Sequence, residues 1–134
     1  MNFKFLRQAV AVVLVVATFV LSSVFVASPA MAADTTVIMG SKGLKFEPSK
    51  VSATAGDTIT FEIGMAPPHN VVFTDKTDGA TALNAALGDA KKGSDLIRSG
   101  EVTLTVPDGV APGDYAFACT PHRGAGMIGK LTVE

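Results

Sequence analysis

Asp114-Tyr115-Ala116-Phe117-Ala118-Cys119-Thr120-Pro121-His122-Arg123-Gly124-Ala125-Gly126-Met127, followed by Ile128 to Val133, is the stretch from which the rest of the chain can be read. Tyr115, Phe117 and Cys119 alternate with small or polar residues, the period of a strand with one buried face. Pro121, Gly124 and Gly126 then interrupt any regular element. Strand character resumes over Ile128–Val133, so a tight loop between two strands is predicted, carrying Cys119, His122 and Met127.

The same period recurs outward from this point. Ile59, Phe61 and Ile63 alternate with Thr58, Thr60 and Glu62, and Val102, Leu104 and Val106 alternate with Thr103 and Thr105. Thr35–Met39, Lys50–Ala53 and Asn70–Phe73 are further strand candidates. The turns Gly40-Ser41-Lys42-Gly43, Ala55-Gly56-Asp57, Pro107-Asp108-Gly109 and Pro112-Gly113 separate them. Short strands at this spacing, without a long amphipathic helix, predict an all-β fold, an eight-stranded Greek-key β-sandwich. The exception is Thr77 to Ser99, where Ala80, Ala82, Leu83, Ala85, Ala86 and Leu87 predict a short helical turn inside a long connection.

The N-terminus is a different material. Lys4 and Arg7 precede an apolar run from Ala9 to Val26, and Pro29 is followed by the small-x-small triplet Ala30-Met31-Ala32. The run approaches the ~20 residues of a membrane span, but its basic flank, its proline and its ending are those of a cleaved signal peptide over residues 1–32. The remaining 33–134 form one domain of 102 residues with nine basic and twelve acidic side chains, a net charge of −3. Such a domain lacks the positive footprint of a nucleic-acid binder and is expected to be a monomer.

The whole chain is 48% hydrophobic and 17% charged, which excludes disorder as its main state. It contains one cysteine and two histidines, too few thiols for a disulfide framework and too few ligands for a zinc ribbon. In an exported protein an unpaired cysteine is either a liability or a ligand. The spacing Cys119-x2-His122-x4-Met127, together with His69 at the mouth of another strand, lets a sandwich gather all four at one end. A thiolate and two imidazoles in a plane with a weak axial thioether is the blue-copper arrangement. Taken singly, Cys119 would be a small buried hydrophobe, Met127 a core residue and His69 a surface histidine. Met39 and Met65 keep such readings. Pro68 and Pro121 restrict the backbone beside the histidines, Gly124 and Gly126 permit the turn back to Met127, and Asn70 is a candidate for tying the two loops together.

Pro68-His69-Asn70-Val71-Val72-Phe73, paired with Cys119 through Gly129, resembles the plastocyanin family of cupredoxins. The resemblance extends through Leu44-Lys45-Phe46-Glu47-Pro48 and Ala55-Gly56-Asp57 to Val133-Glu134. It implies one copper ion cycling between Cu(I) and Cu(II), held by His69, Cys119, His122 and Met127. It also implies a non-enzymatic carrier of one electron from cytochrome f to photosystem I in the thylakoid lumen, with a terminal oxidase as an alternative acceptor. The implied docking patch comprises Leu44, Pro68, Leu96, Pro121, Gly124 and Ala125, with Arg123 as a steering charge beside it. A simple leader and Arg123 are similar to the cyanobacterial branch.

Two positions depart from the plant type. Ala118 stands where a tyrosine precedes the ligand cysteine, and Lys76, Lys91 and Lys92 break up the acidic clusters around Asp75, Asp78 and Asp95. The apolar patch is therefore expected to dominate over acidic steering. The other readings are a pseudoazurin-like carrier donating to a periplasmic reductase, a Cys–His hydrolase and a copper-storage or adhesion protein. Seven residues after Met127 leave no room for the C-terminal helices of a pseudoazurin. A hydrolase explains neither Met127 nor the glycine-rich turn, and storage would need many more sulfur ligands.

Overall fold

The computed structural model describes residues 31–87 and 95–134. The leader up to Ala30, and the stretch 88–94 of the 77–99 connection with Lys91 and Lys92, lie outside the described residues.

The strands are β1 (Asp34–Met39), β2 (Phe46–Glu47), β3 (Lys50–Ala53), β4 (Thr58–Ile63), β5 (Val72–Phe73), β6 (Glu101–Thr105), β7 (Gly113–Ala118) and β8 (Ile128–Val133). Between β5 and β6 lies helix α1 (Asp78–Ala86), and between β7 and β8 a 3-10 helix over Thr120–Ala125. Two four-stranded sheets result, ordered β2-β1-β4-β6 and β3-β8-β7-β5. The chain passes repeatedly from one sheet to the other, so β1 runs parallel to β4 and β3 parallel to β8, while the other strand pairs are antiparallel. This is the predicted β-sandwich.

The alternating apolar residues face inward, as their period requires. Phe46 and Phe61 from one sheet meet Phe73 and Phe117 from the other, all nearly inaccessible. Phe117 is central, with ring centroids 4.9 Å from Phe46, 5.5 Å from Phe61 and 5.7 Å from Phe73, each pair edge-on. Burial of a phenylalanine contributes roughly 1.5–3 kcal/mol, and edge-on ring pairs add about 0.5–1.5 kcal/mol, so this cluster clamps the two sheets together. Gly129 makes room for it, because a Cβ there would lie 2.3 Å from the Phe117 ring.

Helix α1 begins where Thr77 accepts a hydrogen bond from the Ala80 N–H at 3.2 Å, an N-cap. It buries Ala80 and Leu83 and covers the open edge of β5. There the Asn84 carboxamide accepts from the Phe73 N–H at 2.8 Å and donates to the Phe73 carbonyl at 2.9 Å, replacing a missing neighbour strand. Tyr115 donates its hydroxyl to the Ala111 carbonyl at 2.7 Å, fixing the entry to β7.

Three local features differ from the sequence reading. The strand expected over Asn70–Phe73 begins only at Val72, because His69 pairs instead with Ile97 and the Asn70 side chain bonds to Thr120. Cys119 lies just beyond β7 rather than inside it. The 3-10 helix replaces a simple turn, and neither it nor the two-residue β2 is long enough to display a period.

Candidate metal centre

Two segments from different parts of the chain meet at one end of the sandwich. His69 is fixed by its backbone, whose N–H donates to the Ile97 carbonyl at 3.0 Å and whose carbonyl accepts from the Ile97 N–H at 2.9 Å. The second segment folds back on itself. Cys119 donates its N–H to the Met127 carbonyl at 3.1 Å, and Met127 donates its own to the His122 carbonyl at 3.2 Å. Gly126 makes the reversal possible at φ 84°, a left-handed conformation that favours glycine. Backbone pairing alone thus brings the last turn of the loop back against Cys119.

The side chains converge accordingly. Cys119 Sγ lies 3.6 Å from His69 Nδ1 and 3.4 Å from His122 Nδ1, and the two Nδ1 atoms are 3.2 Å apart. A circle through three atoms so spaced has a radius of about 2.0 Å, the length of a bond from a first-row divalent ion to an imidazole nitrogen. His69 uses its other ring nitrogen, Nε2, as a donor to the Met65 carbonyl at 2.8 Å. That bond holds the proton on Nε2 and leaves the Nδ1 lone pair aimed into the triangle. A sulfur and two nitrogen acceptors held this close repel one another unless a proton or a cation lies between them. The donor set therefore fits a soft-to-borderline metal ion such as copper. Met127 is completely buried in the same loop.

The surroundings hold this geometry. Asn70, 3% exposed, accepts from the Thr120 N–H at 2.7 Å through Oδ1 and donates to Thr120 Oγ1 at 3.0 Å through Nδ2. One carboxamide thus bridges the segment that carries His69 to the segment that carries Cys119. Burial pushes the Cys119 thiol pKa up, opposed by hydrogen bonds from the backbone N–H groups of Asn70 and His122. Those same donors would support a thiolate on a metal.

Gly40 is a residue the sequence reading assigned only to a turn. It adopts φ +88°, and a Cβ on it would fall 2.1 Å from the Met65 carbonyl oxygen and 2.7 Å from His69 Nε2. It therefore gives clearance to the hydrogen bond that orients His69. The Met65 carbonyl was also missed, since a backbone acceptor leaves no mark on residue type. Gly40 had one readable signal, a glycine directly after the strand candidate Thr35–Met39.

The histidines differ in exposure: His69 is completely buried, whereas His122 is only half-buried. Around them Pro121, Arg123, Gly124 and Ala125 are exposed and Pro68 is half-buried. Leu96 is 53% exposed beside Ile97, and Met65 is 56% exposed beside His69's acceptor. Leu44 is half-buried against the core. Ala118 is buried, paired across β7 with Val72 and Ile128.

Comparison with known proteins agrees with this geometry. The sequence model for copper-binding proteins of the plastocyanin/azurin family matches residues 33–134. A plastocyanin of Prochlorothrix hollandica is 42% identical over 125 residues, covering 92% of this chain and 87% of that protein. A plastocyanin of Nostoc punctiforme is 42% identical over 121 residues, covering 86% and 85%. The oxidised form of plastocyanin from Dryopteris crassirhizoma superposes with a TM-score of 0.60 at 32% identity, covering 75% of this chain and all of that structure.

Proposed function

This chain belongs to the plastocyanin/azurin family of copper-binding proteins, and from that premise we propose that it carries single electrons from cytochrome f to photosystem I. The observation that carries the reading is the triangle of Cys119 Sγ, His69 Nδ1 and His122 Nδ1, with edges of 3.2–3.6 Å.

His69, Cys119, His122 and Met127 would hold the copper ion. When bound, copper supplies the one-electron Cu(I)/Cu(II) couple. The protein would hold its donors in one arrangement through both states. Met65 and Gly40 fix the His69 ring, Asn70 locks the two ligand segments together, and the left-handed Gly126 holds the return to Met127. Donors that cannot relax have little to rearrange when the charge of the site changes.

Electrons would pass through the half-buried His122, since His69 is sealed from solvent. The exposed Leu96, Pro121, Gly124 and Ala125 beside it, with Pro68 and Leu44, would dock partners transiently. An interface of that kind excludes water over a small area and releases quickly. Arg123, exposed in the same loop, would steer approach by charge. In this reading residues 1–32 direct export to the thylakoid lumen and are removed.

The purified protein loaded with Cu(II) is expected to be intensely blue, and Cys119→Ser to be colourless. A colourless wild-type adduct overturns the type I site. Arg123→Glu is expected to slow the second-order reduction of photosystem I; an unchanged rate would remove Arg123 from docking.

A further inference from the structure

Far from the metal site, the Asp57 carboxylate gathers three hydrogen bonds. Its Oδ2 accepts from the Thr54 N–H at 2.8 Å and from the Thr54 hydroxyl at 3.0 Å. Its Oδ1 accepts from the backbone nitrogen of Ala33 at 2.7 Å, across 24 residues of sequence. Asp57 is itself held by backbone bonds, its N–H donating to the Thr54 carbonyl at 3.1 Å and its carbonyl accepting from the Val106 N–H at 2.9 Å. The Ala33 carbonyl accepts from the Thr58 N–H at 2.9 Å, and the parallel register of β1 with β4 starts one residue on, at Asp34 opposite Thr58.

Ala33 is also the residue that follows the Ala30-Met31-Ala32 processing signal. We infer that Asp57 is the receptor for the α-ammonium group that processing creates on Ala33, so that removal of the leader adds an ion pair at the first residue of β1. The inference rests on the cleavage proposed above. Hydrolysis of the Ala32–Ala33 peptide bond by a signal peptidase consumes one water, leaving a carboxylate on Ala32 and an amino group on Ala33, which takes up a proton at neutral pH.

The receiving geometry already exists. At 2.7 Å the Ala33–Asp57 contact has the length of a charge-assisted hydrogen bond, which an ammonium donor would keep. The bonds from Thr54 and Ala33 hold the Asp57 carboxyl below the usual carboxylate range, so it is ionised and ready. The other ionisable residues on the segments meeting at this corner are Asp34 on β1, Asp108 in the turn after Val106, and Glu134, whose N–H bonds to the Ala53 carbonyl beside Thr54. All three are acidic and add to the attraction for a cation. Before processing, the same nitrogen is a neutral amide, so the full attachment of β1 belongs to the mature chain.

The test uses the exported, copper-loaded protein. Mass spectrometry is expected to show a chain starting at Ala33. NMR titration of its α-amino group is expected to give a pKa about one unit above the ~7.7–8.0 of a free terminus, a tenfold higher proton affinity. Asp57→Asn, which keeps an acceptor for Ala33, is expected to bring that value down to the free range. A chain retaining Ala32 is expected to titrate there as well, which covers the case of an Asp57 variant that does not fold. A start at another residue overturns both the cleavage and the inference. A start at Ala33 with the same α-amino pKa in all three proteins overturns the inference alone, and the blue colour is independent of both.

Discussion

The two ends of this sandwich are fastened by different means. At the metal end, buried side chains with lone pairs converge: His69, Asn70, Cys119 and Met127 are nearly or fully inaccessible, and each is positioned by a segment outside the regular strands. At the opposite end Ala33, Thr54 and Asp57 are joined at the surface by backbone N–H groups and one carboxylate. Between them lies the apolar layer of Phe46, Phe61, Phe73 and Phe117. The far end can lose a contact to water at little cost. The metal end cannot, because a buried polar group without its partner costs the full desolvation of that group.

Substitutions at the two ends should differ in size and in what they disturb. The largest effect is expected from Gly40→Ala, where a left-handed backbone costs about 1–2 kcal/mol and overpacking about 1–3 kcal/mol more. Denaturant unfolding of the metal-free protein should show the loss, and the copper spectrum should shift because His69 is displaced. An unperturbed spectrum would mean that Gly40 does not orient the ring. Asn70→Ala comes next, at about 2 kcal/mol for the unpartnered Thr120 groups and the lost bridge, together with faster release of copper to a chelator. If release is unchanged, the loops are held by backbone alone.

Ile59→Val, in the apolar layer near the far end, should cost about 1 kcal/mol and leave the colour as it is. A changed colour would show that the core and the site are coupled. The smallest effect is expected at Asp57. Its folded pKa is lowered, so its contribution is present above its unfolded value of 3.8 and is lost as pH falls through the lower folded value. Metal-free wild type and Asp57→Asn should therefore differ in unfolding midpoint near neutrality and converge as pH falls below 3.8. A difference that persists at low pH would assign the effect to something other than the carboxylate.

Much of this was legible in residue order. Alternation placed β4 and β6 closely, since six- and five-residue strands with one wet face have a strong period, and the alanines and leucines after Thr77 marked α1. The spacing of Cys119, His122 and Met127 pointed to a metal because a thiol, an imidazole and a thioether on one tight loop have few other common uses. Less visible was whatever depends on a neighbour distant in sequence. Val72 begins β5 because His69 turns aside to Ile97, and Gly40 matters because Met65 and His69 press against it.

Composition, period and spacing determined the sandwich and the candidate ligands, because these rest on which residue types occur and how far apart they stand. The tertiary structure decided that His69 reaches Cys119 across 50 residues, that a backbone carbonyl sets its tautomer, and that Asp57 meets the nitrogen of Ala33. Those are distances between segments that only the packing of two sheets brings together, and hydrogen bonds and metal ligation act over no more than a few ångströms.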